Sequence, residues 1–169
     1  MDTEMSMKLL LWSQTILLLT FLWKSCVSIR YIKVWRPSLT YDLGTDIDYM
    51  DSRHVFTTDP QRFPLNKMRE LVSTLHERQQ SYIVMVDPAV AYYNYSAFNN
   101  GVEAGAFLKR SNGSIYQGVV WPGVTAFPDW FSSGVQEYWN NEFTTFFNAD
   151  TGVDIDALWI GKYFEVHYV

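Results

Sequence analysis

Tyr82-Ile83-Val84-Met85-Val86-Asp87-Pro88 is the stretch on which the fold turns. Tyr82 to Val86 is continuously apolar, as a parallel strand covered on both faces would be, and Asp87-Pro88 stops it. Upstream, Phe63-Pro64 announces a helix. Leu65, Met68, Leu71, Val72 and Leu75 then recur at helical spacing and define a buried face, with Lys67, Glu70, Glu77 and Arg78 on the wet side. Thr45 to Met50 reads as the end of an earlier strand. Strand, helix, strand in this order implies a right-handed parallel crossover. Downstream, Gln136 to Phe147 carries Trp139, Phe143, Phe146 and Phe147 on one face of a further helix. The turn signal Asp150-Thr151-Gly152 follows, and Ala157 to Ile160 reads as another buried strand. The class is α/β.

Residues 89–134 break this rhythm. Asn99-Asn100-Gly101, Gly105, Asn112-Gly113 and Pro122-Gly123 mark turns, and Ile115 to Trp121 has the pattern of a short strand. A strand-to-helix loop normally needs only a few residues, so this segment is expected to be an inserted subdomain. Its bulky rings, Trp121 and Trp130 among them, would shape a binding surface.

The chain has 169 residues, 48% hydrophobic and 18% charged, enough for a globular domain with a core. A formal net charge of −5 argues against a phosphate-backbone partner, so no nucleic acid is expected. Aromatic residues make up 17%. They suit a ring-rich core, and equally a carbohydrate site, where flat rings pack on sugar C–H faces. One cysteine, Cys26, excludes an internal disulfide and a multi-cysteine metal site. His54, His76 and His167 lack the spacing of a zinc-binding helix and read as ordinary satisfied histidines. Neither a metal nor a cofactor is expected.

Residues 1–30 read as an export signal. Met7-Lys8 leads into Leu9 to Trp12 and Ile16 to Trp23, and Cys26-Val27-Ser28 offers small residues for cleavage. The apolar run ends at Lys24, short for a spanning helix, so no stable membrane anchor is expected. Asn94-Tyr95-Ser96 and Asn112-Gly113-Ser114 are glycosylation acceptor patterns that agree with a secreted protein. Residues 31–44 form an unassigned linker, with a turn signal at Arg36-Pro37-Ser38. Asp46 and Asp48 would share one face of a strand, either at a solvated turn or in a polar site at the strand end.

Four segments taken together resemble glycoside hydrolase family 31, and most of all its fungal secreted α-glucosidases. They are Thr45-Asp46-Ile47-Asp48-Tyr49-Met50-Asp51, Ile83-Val84-Met85-Val86-Asp87-Pro88-Ala89, Val120-Trp121-Pro122-Gly123 and Asp156-Ala157-Leu158-Trp159-Ile160. The likeness covers residues 45–160 and leaves 161–169 as a foreign tail. It implies a partial (β/α)8 TIM barrel, its second to fourth strands, with an insertion subdomain after the third strand. It also implies retaining hydrolysis of terminal α-linked glucose, an α-glucoside or malto-oligosaccharide substrate, and no metal or other cofactor.

By the same resemblance, Asp46 matches a carboxylate that hydrogen-bonds the hydroxyls of the terminal sugar. Ile47 and Trp159 match pocket-lining positions, and Trp121 matches a tryptophan wall. Met85 stands where an apolar residue faces the sugar, and Asp87 matches a supporting carboxylate at the barrel mouth. In the family the fourth strand runs Trp-Ile-Asp-Met-Asn-Glu, and its aspartate is the nucleophile. Here Trp159-Ile160 runs into Gly161-Lys162-Tyr163. The family's acid/base aspartate belongs to a later strand, beyond Val169. Retaining chemistry needs two carboxylates across the scissile bond, and glycine cannot attack an anomeric carbon. The chain is therefore expected to be inactive, with a non-catalytic sugar-binding or regulatory fragment as the alternative.

Overall fold

The computed structural model describes residues 49–160 and the backbone of 29–32 and 42–45. The export-signal residues before Ile29, Cys26, Asp46, Ile47, Asp48, Gly161 and the rest of the tail, His167 included, lie outside the described residues.

Two sheets organise the chain. The first has four strands in the order β1-β2-β3-β7, namely Ile29–Ile32, Asp42–Thr45, Tyr82–Met85 and Ala157–Trp159. β2, β3 and β7 are parallel, and β1 runs antiparallel to β2. The parallel register sets Thr45 beside Val84 and Met85 beside Trp159. β2 reaches Thr45, where a strand end was expected, and both β1 and β2 involve residues that the linker and the end of the export signal were expected to hold.

Helix α1, Leu65–Glu77, joins β2 to β3. Met68, Leu71, Val72 and Leu75 are its buried face, as the periodicity requires. They meet Tyr82, Val84 and Val86 in one core, where full burial of each aliphatic side chain contributes about 1.5–3 kcal/mol. Ile83 is only half-buried, so β3 is covered less evenly than its apolar run suggests. Pro64 occupies the position just before the helix, where its missing N–H costs nothing. Gln79, in the left-handed region at φ 57°, closes the other end, and the Arg78, Gln79 and Gln80 amides bond back to Leu75 and His76 carbonyls.

The second sheet lies between β3 and the last helix. It has the order β4-β6-β5, with β4 Val90–Ala91, β5 Gln117–Val120 and β6 Gly123–Ala126, all antiparallel. Trp121-Pro122 is the turn between β5 and β6. A helix, α2 Ser96–Glu103, also stands here, where the sequence signalled mainly turns. Polar residues such as Asn99, Asn100 and Glu103 break up its apolar pattern.

Helix α3, Val135–Phe146, packs differently from the expected aromatic face. Its most buried side chains are Val135, Tyr138 and Glu142, while Trp139, Phe143 and Phe146 are half-buried at the core's edge. Glu142 is satisfied there by the Asn100 amide at 2.7 Å, which a contact-blind periodicity could not reveal. After α3, the Asn148 side chain accepts from the Asp150 and Thr151 amides, and Arg69 donates to the Ala149 and Gly152 carbonyls. This turn feeds the chain into β7.

Candidate functional site

The parallel strands β2, β3 and β7 end on one side of the sheet, and of the residues singled out by sequence Met85, Asp87 and Trp159 lie at the ends of β3 and β7. Met85 and Trp159 are register partners on β3 and β7. The Val86 amide donates to the Trp159 carbonyl at 3.3 Å and extends the pairing by a residue. Asp87 follows at once. It is buried, and its Oδ1 accepts from the Ala89 amide at 3.1 Å. That bond fixes the chain as it leaves the strand and turns the carboxylate into the protein. Met85 is 5% exposed, so little of its side chain meets solvent.

Trp121 lies in the turn between β5 and β6 and is 47% exposed. A ring this open has an apolar face available for contact. Two residues of the segment after β2 contact residues of the 89–134 segment. The Arg53 guanidinium donates to the Trp121 carbonyl at 3.1 Å and lies 6.0 Å from the indole centre, within cation–π range. The His54 ring is stacked between Tyr93 and Tyr95, with centroids 5.3 and 4.8 Å away. Burial there holds the imidazole below its ordinary pKa, while the nearby Asp51 carboxylate pulls it upward.

The same segment is tied to the strand ends. Tyr49 is fully buried, and its hydroxyl donates to the Met85 carbonyl at 3.0 Å. Burial pushes its phenol well above the ordinary tyrosine range. Phe56 plugs edge-on into Trp139 and Phe143 of α3, at 5.1 and 5.2 Å. Tyr49, Arg53, His54, Tyr93 and Tyr95 carry no periodic signal, and their partners are distant in the chain. The sequence pointed to none of them as parts of the site.

The remaining assignments place simply. Asn94 and Asn112 are exposed, and each has its side-chain oxygen engaged, by the Asn99 amide and by Ser114 respectively. His76 lies at the opposite end of the strands, 2.9 Å from Asp156 and 3.6 Å from Asp154. Among the described residues, no group of three or more His, Cys, Asp or Glu side chains could hold a metal ion, and no helix is long and apolar enough to cross a membrane. A cleft of about 510 Å³ between α2 and α3, bordered by Glu103, Glu137 and Glu142, and another of about 320 Å³ beside Arg69 and His76 both lie away from the strand ends. Neither contains a residue matched to the sugar site.

The Glycosyl hydrolases family 31 TIM-barrel domain matches residues 42–163, a span that includes Gly161. A probable alpha/beta-glucosidase of Aspergillus flavus is 63% identical over 131 residues, which is 78% of this chain and 15% of that protein. Glucoamylase 1 of Candida albicans is 40% identical over 125 residues, 69% of this chain and 13% of that protein. The chain thus spans a small part of the length of these relatives. Among solved structures, a family 31 alpha-glucosidase from Bacteroides thetaiotaomicron superimposes with a TM-score of 0.59 at 32% identity, covering 70% of this chain and 20% of that one. The alpha subunit of glucosidase II, bound to DNJ, gives a TM-score of 0.62 at 24% identity over 70% of this chain and 13% of that one, a likeness of fold.

Proposed function

The chain belongs to glycosyl hydrolase family 31, and from that premise we propose that it is a fragment of an α-glucosidase-type catalytic barrel, of the kind that hydrolyses terminal α-linked glucose, and that it is itself inactive. β2, β3 and β7 are then the second to fourth barrel strands, and the β4-β6-β5 sheet with α2 is the insertion after the third. Asp46, Ile47, Met85, Asp87, Trp121 and Trp159 are the substrate-binding set, for an α-glucoside or malto-oligosaccharide. Trp121 suits this role because its half-exposed ring can lie on the apolar face of a sugar.

One observation carries the loss of hydrolysis. Gly161 stands where the family places its nucleophile, inside the matched span. A retaining enzyme forms a covalent glycosyl intermediate on that carboxylate, and glycine has no side chain to form it. Asp87 is a poor replacement, because its carboxylate is buried and engaged by the Ala89 amide. The purified chain, assayed on p-nitrophenyl α-glucoside, is expected to give no rate above buffer. A measurable, saturable rate would sink this reading.

The second reading, a non-catalytic sugar-binding fragment, is favoured by the exposure of Trp121. Calorimetric titration with maltose is its test, and no heat at millimolar ligand counts against it. Secretion with glycans on Asn94 and Asn112 completes the proposal. Both side chains are exposed. Expression through a secretory pathway should give a product that shortens on treatment with an N-glycosidase.

A further inference from the structure

The segment 49–57 is held in a conformation that its own residues disfavour. Ser52, Arg53 and Phe56 have φ values of 51°, 64° and 61°, in the left-handed region that non-glycine side chains avoid. Such backbone persists only where the surroundings over-determine it. Here three sets of contacts do so. Tyr49 bonds the Met85 carbonyl at the end of β3. Phe56 is set edge-on into the rings of α3. Between them, Arg53 reaches the β5–β6 turn at the Trp121 carbonyl and ring, and His54 stacks on Tyr93 and Tyr95 in the segment between β4 and α2.

We propose that Arg53 and His54 are positioning residues, and that the strained segment is a clasp fixing Trp121 and the second sheet relative to the C-terminal ends of the parallel strands. The geometry makes the division of labour plain. Trp121 sits in a two-residue turn at the tip of a hairpin, and its ring is half open to solvent. Arg53 contributes a hydrogen bond to its backbone and a cation at its ring. His54 anchors the segment between β4 and α2 by ring stacking on Tyr93 and Tyr95. The left-handed turn at Ser52 and Arg53 lets adjacent residues point to these two targets. The consequence for ligand binding rests on the sugar-site reading above: a fixed Trp121 presents its face without an ordering cost at the moment of binding.

The test is fluorine NMR on the full chain labelled with 5-fluorotryptophan, with the Trp121 resonance assigned through Trp121→Phe. Arg53→Ala is expected to shift the Trp121 resonance and narrow it toward that of a mobile, solvated ring, leaving the Trp139 resonance in place. His54→Ala should move it in the same direction. Arg53→Lys, which keeps the charge and reach but not the planar fork, should fall between. If the Trp139 resonance also moves in Arg53→Ala, the fold has changed, and the Arg53→Lys comparison decides instead. A Trp121 resonance that superimposes on the parent's in both Arg53→Lys and His54→Ala overturns the clasp. In parallel, maltose affinity should weaken roughly two- to tenfold in Arg53→Ala, the worth of one such hydrogen bond. A parent chain that binds no maltose removes the sugar reading alone, and the fluorine comparison still decides the clasp.

Discussion

The Tyr49 hydroxyl donates to the Met85 carbonyl across 3.0 Å, joining the segment after β2 to the end of β3 within the buried core. Tyr49→Phe keeps the ring and removes this one bond. The Met85 carbonyl then loses a buried donor, at a cost of about 1–3 kcal/mol. Urea unfolding of the two proteins, compared at equal m-value, measures it. An unchanged midpoint would show that the bond contributes nothing.

Burial pushes the phenols of Tyr49, Tyr95 and Tyr138 above the ordinary range, with the Glu142 charge adding to the effect on the last two. In the unfolded chain these groups ionise near pH 10. Their folded values are raised, so the stability they contribute is fully present below about pH 10 and is lost as pH rises through the folded values. Ultraviolet titration should show the exposed tyrosines ionising reversibly, and these three only on unfolding.

His54 gives the opposite pH dependence. Its folded pKa is lowered, first by burial, so the fold favours the neutral ring. The contribution is complete above the unfolded value of about 6.5 and is lost as pH falls through the folded value. His54→Phe keeps a flat ring between Tyr93 and Tyr95 and cannot titrate. Thermal melts from pH 7 to 5 should slope less steeply for this variant than for the parent.

Gly152 has no room for a side chain. A β-carbon there would collide with the Phe146 carbonyl oxygen, and backbone atoms of Asn148 close the same space. Gly152→Ala should therefore destabilise by about 1–3 kcal/mol, as overpacking does, read as a lowered unfolding midpoint. At the neighbouring turn residue Ala149, whose side chain is exposed, a serine should be tolerated.

Phe131 is fully exposed, and Trp130, Val119 and Ile160 are also open to solvent. Among the described residues β7 pairs with β3 alone and is an edge strand of the four-stranded sheet. The chain should self-associate as its concentration rises. Sedimentation velocity should show this, and Phe131→Glu should raise the concentration at which the monomer persists. A parent that stays monomeric at high concentration would contradict it.

Local pattern carried much of the architecture. The α1 face and β3 were legible because periodicity reports which side of an element loses contact with water. Only the end of β2, at Thr45, was legible. Its residues Asp42 to Thr45 have no apolar run, and their strand geometry comes from pairing with β3. The second sheet was visible only as turns and one short strand. Its partner strand β6 is short, and the residues of α2 have mixed polarity.

The sequence by itself determined the parallel strand-helix core and the family. These are properties of residue order and spacing, read within windows of a few residues. Only the tertiary structure decided what Trp121 rests on, what ties the segment after β2 to β3, and why Glu142 is tolerated inside. Each of these depends on a contact between residues far apart in the chain: Arg53 with Trp121, Tyr49 with Met85, Asn100 with Glu142. Such contacts form after the elements pack, and a linear pattern has no period that spans them.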